Sequence, residues 1–122
     1  MDFQNSQTKD NLMRAFAGES QARNRYTFAG AIAAKKGHHM LADVFYFTAN
    51  QEKEHAEIFY NHLKELTGKS IMVDGSYPVD TYNDVLSLLK SARHNEYEEY
   101  EDVYPHFGTI AREEGFHKIA QD

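Results

Sequence analysis

Five acidic or imidazole side chains interrupt apolar stripes that repeat with the period of an α-helix. The stripe of segment 12–26 contains one carboxylate, that of 41–59 contains a carboxylate and an imidazole, and that of 85–103 contains two carboxylates. Each polar group lies near the middle of its predicted helix, so antiparallel packing would bring all of them to one level of a shared core. In chain order they are Glu19, Glu52, His55, Glu96 and Glu99.

One such residue alone does not indicate a site, because a glutamate at the edge of a core usually reaches solvent and a core histidine usually makes an ordinary hydrogen bond. The same interruption in three helices favours a shared function. A buried ion without a partner costs several kcal/mol, so four buried carboxylates need protons or about four positive charges. The three stripes contain no lysine or arginine, whereas two divalent cations would balance the carboxylates.

The spacing of these residues is that of metal ligands. Glu52 and His55 are three residues apart and share a helical face, so the carboxylate can bridge two ions while the imidazole binds one of them. Glu96 and Glu99 have the same spacing. Oxygen-rich ligation with one imidazole and no thiolate suits Fe or Mn and leaves positions open for an oxidant. Di-metal carboxylate bundles have two such Glu-x-x-His pairs, whereas only one is in the expected place here.

The composition excludes several classes of protein and of site. The 122 residues include no cysteine, which excludes disulfides, thiolate metal sites and cysteine nucleophiles, and is typical of a reducing compartment. The net charge of −6 argues against a nucleic-acid partner. No run of apolar residues is long enough for a membrane span, and the first residues lack the pattern of a secretion signal. We expect one globular domain over residues 1–122 in the cytoplasm, with no membrane contact.

Helical periodicity extends over most of the chain. A first helix is expected from about residue 8 to residue 36, because two lysines and then Gly37 form a favourable helix end. A second helix is expected from His39 to a stop at Gly68. Two long helices joined by a tight turn predict an antiparallel hairpin.

A loop and a third helix are expected next. Residues 68–80 lose the helical period and contain Gly, Ser and Pro, which predicts an ordered loop. Thr81 starts a segment that resembles a capping box, with Asp84 in place of the usual Glu or Gln. The third helix should end around Tyr104-Pro105, because the residue before a proline disfavours helical geometry.

The last helical period is incomplete. A short helix is expected over 106–114, and a new period opens after Gly115 and stops at Asp122. Glu114 and His117 have the spacing of metal ligands, but the glycine between them interrupts the helix, so we interpret this segment as a turn near one end of the bundle. We therefore predict an all-α fold, an antiparallel four-helix bundle whose fourth helix is truncated or supplied by another chain. A fragment of a longer protein is favoured over a deliberately shortened chain or completion by an oligomer.

Several parts of the sequence resemble the helices of rubrerythrins. The first helix contains AFAGESQARNRY at 15–26, and the second contains TANQEKEHA at 48–56. The third contains EYEE at 96–99, followed by Tyr104-Pro105 and by AREEGF at 111–116. Together these strings span nearly the whole chain.

The resemblance implies a ferritin-like di-iron domain that reduces hydrogen peroxide to water in oxidative stress defence. It implies two iron ions as cofactors, with manganese or zinc as substitutes. Glu52 would bridge the two ions, and Glu96 would help to bind the second. The first iron would have four ligands, which are Glu19, Glu52, His55 and Glu99.

The resemblance also implies which residues take part in the reaction. His55 and Glu99 would exchange on one iron as its oxidation state changes. Tyr26 and Tyr104 match family tyrosines near the site, where they would hydrogen-bond the ligand carboxylates. The alternative for both tyrosines is that they fill the core with satisfied hydroxyl groups.

Two parts of the family pattern are absent from this sequence. The fourth helix would carry further Glu and His ligands, and a rubredoxin-like domain would carry a four-cysteine iron site. We therefore expect electrons from a separate rubredoxin-like donor, and a bundle completed by a homo-oligomer, such as a dimer, or by a second polypeptide. Two other functions stay open: a ferroxidase or iron-binding protein without peroxide turnover, and a structural helical fragment with a vacant site.

Overall fold

The structure of the chain, a computed structural model, describes residues 2–121. All of the regular structure in this range is helical, which confirms the predicted fold class, a ferritin-like helical bundle. That residues 1–122 form a single domain stays a prediction. The long elements are α1 (Gln7–Lys35), α2 (His39–Asn61), α3 (Val85–Glu98), a π segment (Glu99–Val103), α4 (Tyr104–Glu113) and α5 (His117–Gln121), with short 3₁₀ turns at Phe3–Asn5 and Lys64–Leu66.

The helices α1 and α2 form the expected antiparallel hairpin, with a core of small residues. The α1 helix begins after Ser6, whose hydroxyl accepts a hydrogen bond from the N–H of Lys9. It ends before Gly37, which turns the chain with a φ of 83°. The two helices approach so closely that a Cβ atom at Gly30 would lie 2.5 Å from the Tyr46 ring. The buried alanines of this core are Ala22, Ala29 and Ala33 on α1, and Ala42 and Ala49 on α2.

The prediction that the second helix extends to Gly68 is wrong. The α2 helix ends at Asn61, and the chain continues through a turn and the 3₁₀ segment 64–66. This change of direction brings Leu63 and Leu66 into a small second core, which contains Phe3 and Leu12 near the start of α1. Burial of these side chains across the end of the hairpin therefore outweighs continuation of the helix.

Residues 67–84 form a crossover segment that runs along α1. Its acidic side chains pair with arginines of that helix: Asp74 lies 3.3 Å from Arg14, and Asp80 lies 3.3 Å from Arg25. The Tyr77 hydroxyl donates a hydrogen bond to the carbonyl oxygen of Arg14. Because the crossover segment advances in the same direction as α1, α3 begins near the C-terminal end of α1 and runs antiparallel to it.

The third helix begins later than expected. Asp84, and not Thr81, caps it: the Asp84 carboxylate accepts a hydrogen bond from the N–H of Ser87 at 2.9 Å. An aspartate is among the strongest N-caps, so the helix starts where the carboxylate can reach a free N–H group. The first helical residue is Val85, which is buried against the hairpin.

The prediction that the third helix ends at Tyr104-Pro105 is also wrong. The helical path continues through the π segment, in which the N–H of Tyr104 donates to the carbonyl of Glu99, five residues back. Pro105 has no N–H group, but it lies in the first turn of α4, where the hydrogen-bond register has just changed. The wider turn has a further effect. In a regular α-helix the side chains of Glu96 and Tyr104 would point about 80° apart around the helix axis. Here both face α1.

The turn between α4 and α5 holds the start of α1. Gly115 has a φ of 91° and reverses the chain, as expected for this segment. The Glu114 carboxylate accepts hydrogen bonds from the N–H of Gln7 at 2.9 Å and the N–H of Thr8 at 2.7 Å, and from the Thr8 hydroxyl. Glu114 therefore caps the N-terminus of α1 from the far end of the sequence.

No helix within residues 2–121 is both long enough and apolar enough to cross a membrane.

We predict that Glu114→Ala lowers the free energy of unfolding by about 1–2 kcal/mol, because helix N–H groups lose their acceptor. Although burial raises the pKa of Glu114, the hydrogen bonds from Thr8 and Gln7 hold it below the ordinary value. The stabilisation is therefore present at neutral pH and is lost as the pH falls through this lowered pKa. Urea unfolding at several pH values measures both effects.

Glu113→Ala is the matched control, because Glu113 is the exposed last residue of α4 and makes no cap to α1. Equal losses of stability in the two variants would contradict the capping role of Glu114.

Candidate metal centre

The structure brings the five residues from the apolar stripes together in two overlapping groups. One ligand atom from each of Glu19, Glu52 and His55 lies within 4.8 Å of the others. The same distance limit holds for Glu52, Glu96 and Glu99. Glu52 belongs to both groups, which is the arrangement a bridging carboxylate requires. The roles of these residues as ligands stay predictions, but their convergence from three separate helical segments agrees with the spacing argument.

Two of the carboxylates are fully inside the protein and lack a hydrogen-bond partner on one oxygen. Glu19 is 2% exposed and Glu52 is 3% exposed. Within residues 2–121, the Oε2 atom of each accepts no hydrogen bond. A buried carboxylate oxygen without a donor is unfavourable unless a cation or a proton compensates it. These two oxygens therefore fit the ligand set of a metal ion.

Two tyrosines each donate a hydrogen bond to one carboxylate of the cluster. The Tyr104 hydroxyl donates to Oε1 of Glu19 at 2.5 Å, and the Tyr26 hydroxyl donates to Oε1 of Glu96 at 2.6 Å. Burial raises the pKa of both phenols far above the ordinary value, so both stay protonated donors. Each tyrosine orients one oxygen of a carboxylate and leaves the other available to a cation.

The carboxylates also alter one another's protonation. Burial, and then the negative charges of Glu96 and Glu19, raise the pKa of Glu99 to about 8. Burial also raises the pKa of Glu19, although the hydrogen bond from Tyr104 opposes this effect. Without a cation, part of this cluster therefore holds protons near neutral pH. A metal ion would have to displace them.

His55 lies at the rim of the cluster and not in the core, so the expectation of a buried imidazole is wrong. Its side chain is 53% exposed, and its Nδ1 atom lies 3.8 Å from Oε2 of Glu19. No helix within residues 2–121 covers this side of α2. Val44 and Ile58, which precede and follow His55 on α2, are also exposed. We call this side of α2, which carries Val44, His55 and Ile58, the open face.

A cavity of about 220 Å³ reaches the cluster from another direction. It lies between the crossover segment and the helices, and its wall includes Tyr77, Glu99 and Tyr104. A molecule of a few atoms would have room beside both the carboxylate and the tyrosine ring.

The sequence did not indicate one group of residues that lies next to the cluster. Asp80 of the crossover segment contacts Arg25 on α1 and Asn95 on α3. Arg25 also donates to the side chain of Gln21. The crossover segment has no periodicity, so no pattern in it predicts which face of α1 it contacts. The one available signal is the arginine immediately before the buried Tyr26.

The chain is similar to known proteins over nearly its whole length. A family model described as Rubrerythrin matches residues 10–121. A rubrerythrin of Clostridium perfringens is 43% identical over 116 residues, which cover 94% of this chain and 60% of the relative. A rubrerythrin of Porphyromonas gingivalis is 44% identical over 115 residues, covering 94% of this chain and 56% of the relative. A rubrerythrin of Nitratidesulfovibrio vulgaris is 41% identical over 116 residues, which cover 95% of this chain and 59% of the relative.

The chain spans about 60% of the length of the curated relatives it matches. The match includes α1, α2, the crossover segment and the third helical run, and therefore every residue of the carboxylate cluster. With a family match over nearly its whole length and identities above 40% to several relatives, the chain belongs to the rubrerythrin family.

Proposed function

We propose that this chain forms the metal site of a non-haem di-iron peroxidase, which reduces hydrogen peroxide to water in oxidative stress defence. The observation that carries the proposal is the pair of three-residue ligand groups that share Glu52. Membership of the rubrerythrin family supports iron as the metal. The oxygen-rich ligand set also suits manganese, and zinc can act as a substitute.

The residues present fit two divalent ions. In the proposed site, Glu19 and His55 bind one ion, Glu96 binds the other, and Glu52 bridges them. Glu99 lies with Glu52 and Glu96 in the second of the two groups, although the resemblance implies that it binds the first ion. Four carboxylates balance the four charges of two divalent ions, and the Oε2 atoms of Glu19 and Glu52, which accept no hydrogen bond within residues 2–121, gain partners.

Peroxide reduction consumes two electrons and two protons for each hydrogen peroxide and releases two molecules of water. When bound, the iron pair would supply the two electrons. Without a cation Glu99 holds a proton, because its pKa is about 8, and it would have to release that proton to act as a ligand. The cavity beside Glu99 and Tyr104 has room for the peroxide. Tyr26 and Tyr104 keep Glu96 and Glu19 in place while the charge of the site changes.

Two residues have the freedom that a ligand exchange requires. His55 lies half-exposed at the rim, and Glu99 begins the π segment, where the helix is wider than a regular α-helix. These features support the proposed exchange of His55 and Glu99 as the oxidation state of one iron changes. π segments occur often at functional sites.

The proposal includes the partners and the location of the chain. A separate rubredoxin-like protein would return two electrons to the site after each turnover, in the cytoplasm. The open face beside His55 would be covered by a helix of a second copy or of a second polypeptide. Such a helix would bury Val44 and Ile58 and would exclude water from the carboxylates.

Replacement of the shared carboxylate tests the metal site. We predict that Glu52→Gln weakens Fe(II) binding at least about a hundredfold, because it removes a ligand from both groups. The number of Fe(II) ions bound per site should also fall below two. Anaerobic titration with metal analysis measures both. Glu57→Gln, at an exposed position on the same helix, should bind as the wild type does. A wild-type chain that binds no iron would favour the structural fragment with a vacant site.

The protonation of Glu99 makes metal binding depend on pH. A carboxyl group with a raised pKa holds its proton below that pKa, so Fe(II) affinity should fall as the pH falls through about 8. In Glu99→Gln this part of the pH dependence should be absent. Titrations at a series of pH values measure the effect, and identical profiles for the two proteins would contradict it.

The choice of oxidant separates a peroxidase from an iron-handling protein. The sample is the reduced, iron-loaded protein with its open face covered by the completing helix. We predict that hydrogen peroxide oxidises it faster than oxygen does. We also predict that it turns over repeatedly with a reduced rubredoxin-like donor. Stopped-flow absorbance measures both rates. Faster oxidation by oxygen, with stoichiometric uptake of iron and no turnover, would instead indicate a ferroxidase or iron-binding protein.

A further inference from the structure

A largely buried ion pair lies next to the carboxylate cluster. The Nη1 atom of Arg25 lies 3.3 Å from Oδ2 of Asp80, and the two side chains are 17% and 16% exposed. The same Asp80 oxygen accepts a hydrogen bond from the Asn95 side chain at 2.8 Å. The Nε atom of Arg25 donates to Gln21 at 2.6 Å. The guanidinium is thus held on two sides, by α1 itself and by the crossover segment.

This pair lies at the level of Glu96. Arg25 directly precedes Tyr26, whose hydroxyl binds Glu96, and its guanidinium carbon lies 5.3 Å from the centre of the Tyr26 ring. Asn95, the other partner of Asp80, directly precedes Glu96 on α3. The ion pair therefore connects to the residues next to the cluster on both helices.

Asp80 and Gln21 do not satisfy every donor of the Arg25 guanidinium. The Nη2 atom is buried and donates to no acceptor within residues 2–121. The positive charge also acts on the cluster: it lowers the pKa of Glu99 and of Tyr26, against the larger upward effects of burial and of the neighbouring carboxylates. The apolar stripes themselves contain no lysine or arginine, so this charge comes from just outside the stripes.

We propose that the Arg25 guanidinium, held by Gln21 and Asp80, is a fixed positive charge that limits the affinity of the carboxylate cluster for divalent cations. The inference rests on the proposed function, because it concerns the same metal site. It gives the crossover segment a part in metal binding through Asp80, although that segment contributes no ligand.

Two neutral variants of the ion pair test this role, because they change the charge in opposite directions. Arg25→Gln removes the positive charge and should tighten Co(II) binding on the order of tenfold; Asp80→Asn leaves the positive charge unopposed and should weaken it by a similar factor. Titration of the full chain with Co(II) at a pH above the Glu99 pKa of about 8 measures both affinities, with visible absorbance as the signal. If the ion pair only holds the crossover segment against α1, both variants break the same contact and should shift the Co(II) affinity in the same direction.

Two further variants separate charge from structure. Arg25→Lys keeps the charge but cannot bond Gln21 and Asp80 as a guanidinium does, so the melting temperature should fall while the Co(II) affinity stays near that of the wild type. Arg14→Gln breaks the other tether of the crossover segment, the 3.3 Å pair with exposed Asp74, and should leave the affinity unchanged. Tighter binding by Arg25→Lys, equal to that of Arg25→Gln, would overturn the inference. A wild-type chain that binds no Co(II) overturns the proposed function and the inference together.

Discussion

The burial of several like charges in one small helical core is the constraint on which the rest of the structure depends. Glu19 and Glu52 are almost completely enclosed, and Glu96 and Glu99 approach them from the third helical run. Carboxylates so placed lose hydration and repel one another, which the raised pKa of Glu99 reflects. Tyr26 and Tyr104 donate hydrogen bonds to the cluster, and Arg25 places positive charge near it. The packing of α1 against α2 through alanines brings their backbones, and with them these carboxylates, close together.

Much of the fold and of the cluster could be predicted from the sequence, because both depend on helical periodicity. A residue that interrupts an apolar stripe must face the same core as its neighbours, so Glu19, Glu52, Glu96 and Glu99 could be assigned to one site before any coordinates. The same reasoning failed for His55. Periodicity predicts which side of a helix a residue occupies, but burial there also requires another element to cover that side.

Other features depend on contacts between distant parts of the chain, which periodicity does not report. The end of α2 is decided by burial of Leu63 and Leu66 against the start of α1. The π segment leaves no signal in the composition of residues 99–103, although it sets the face that Tyr104 presents to Glu19. The pairing of Asp80 with Arg25 arises between a segment without period and a helix, and each residue alone resembles an ordinary surface charge.

The large sequence separation between Glu19 and Tyr104 has a consequence for synthesis of the chain. The two residues that share a hydrogen bond are 85 positions apart. Since a chain leaves the ribosome from its N-terminus at about 5–20 residues per second, Glu19, Glu52 and His55 have all emerged seconds before Glu96, Glu99 and Tyr104. The group of ligands on the hairpin is therefore complete while Glu96 and Glu99 of the other group have yet to emerge. The two halves of the site are made at different times, and the earlier half meets the metal ions of the cell first.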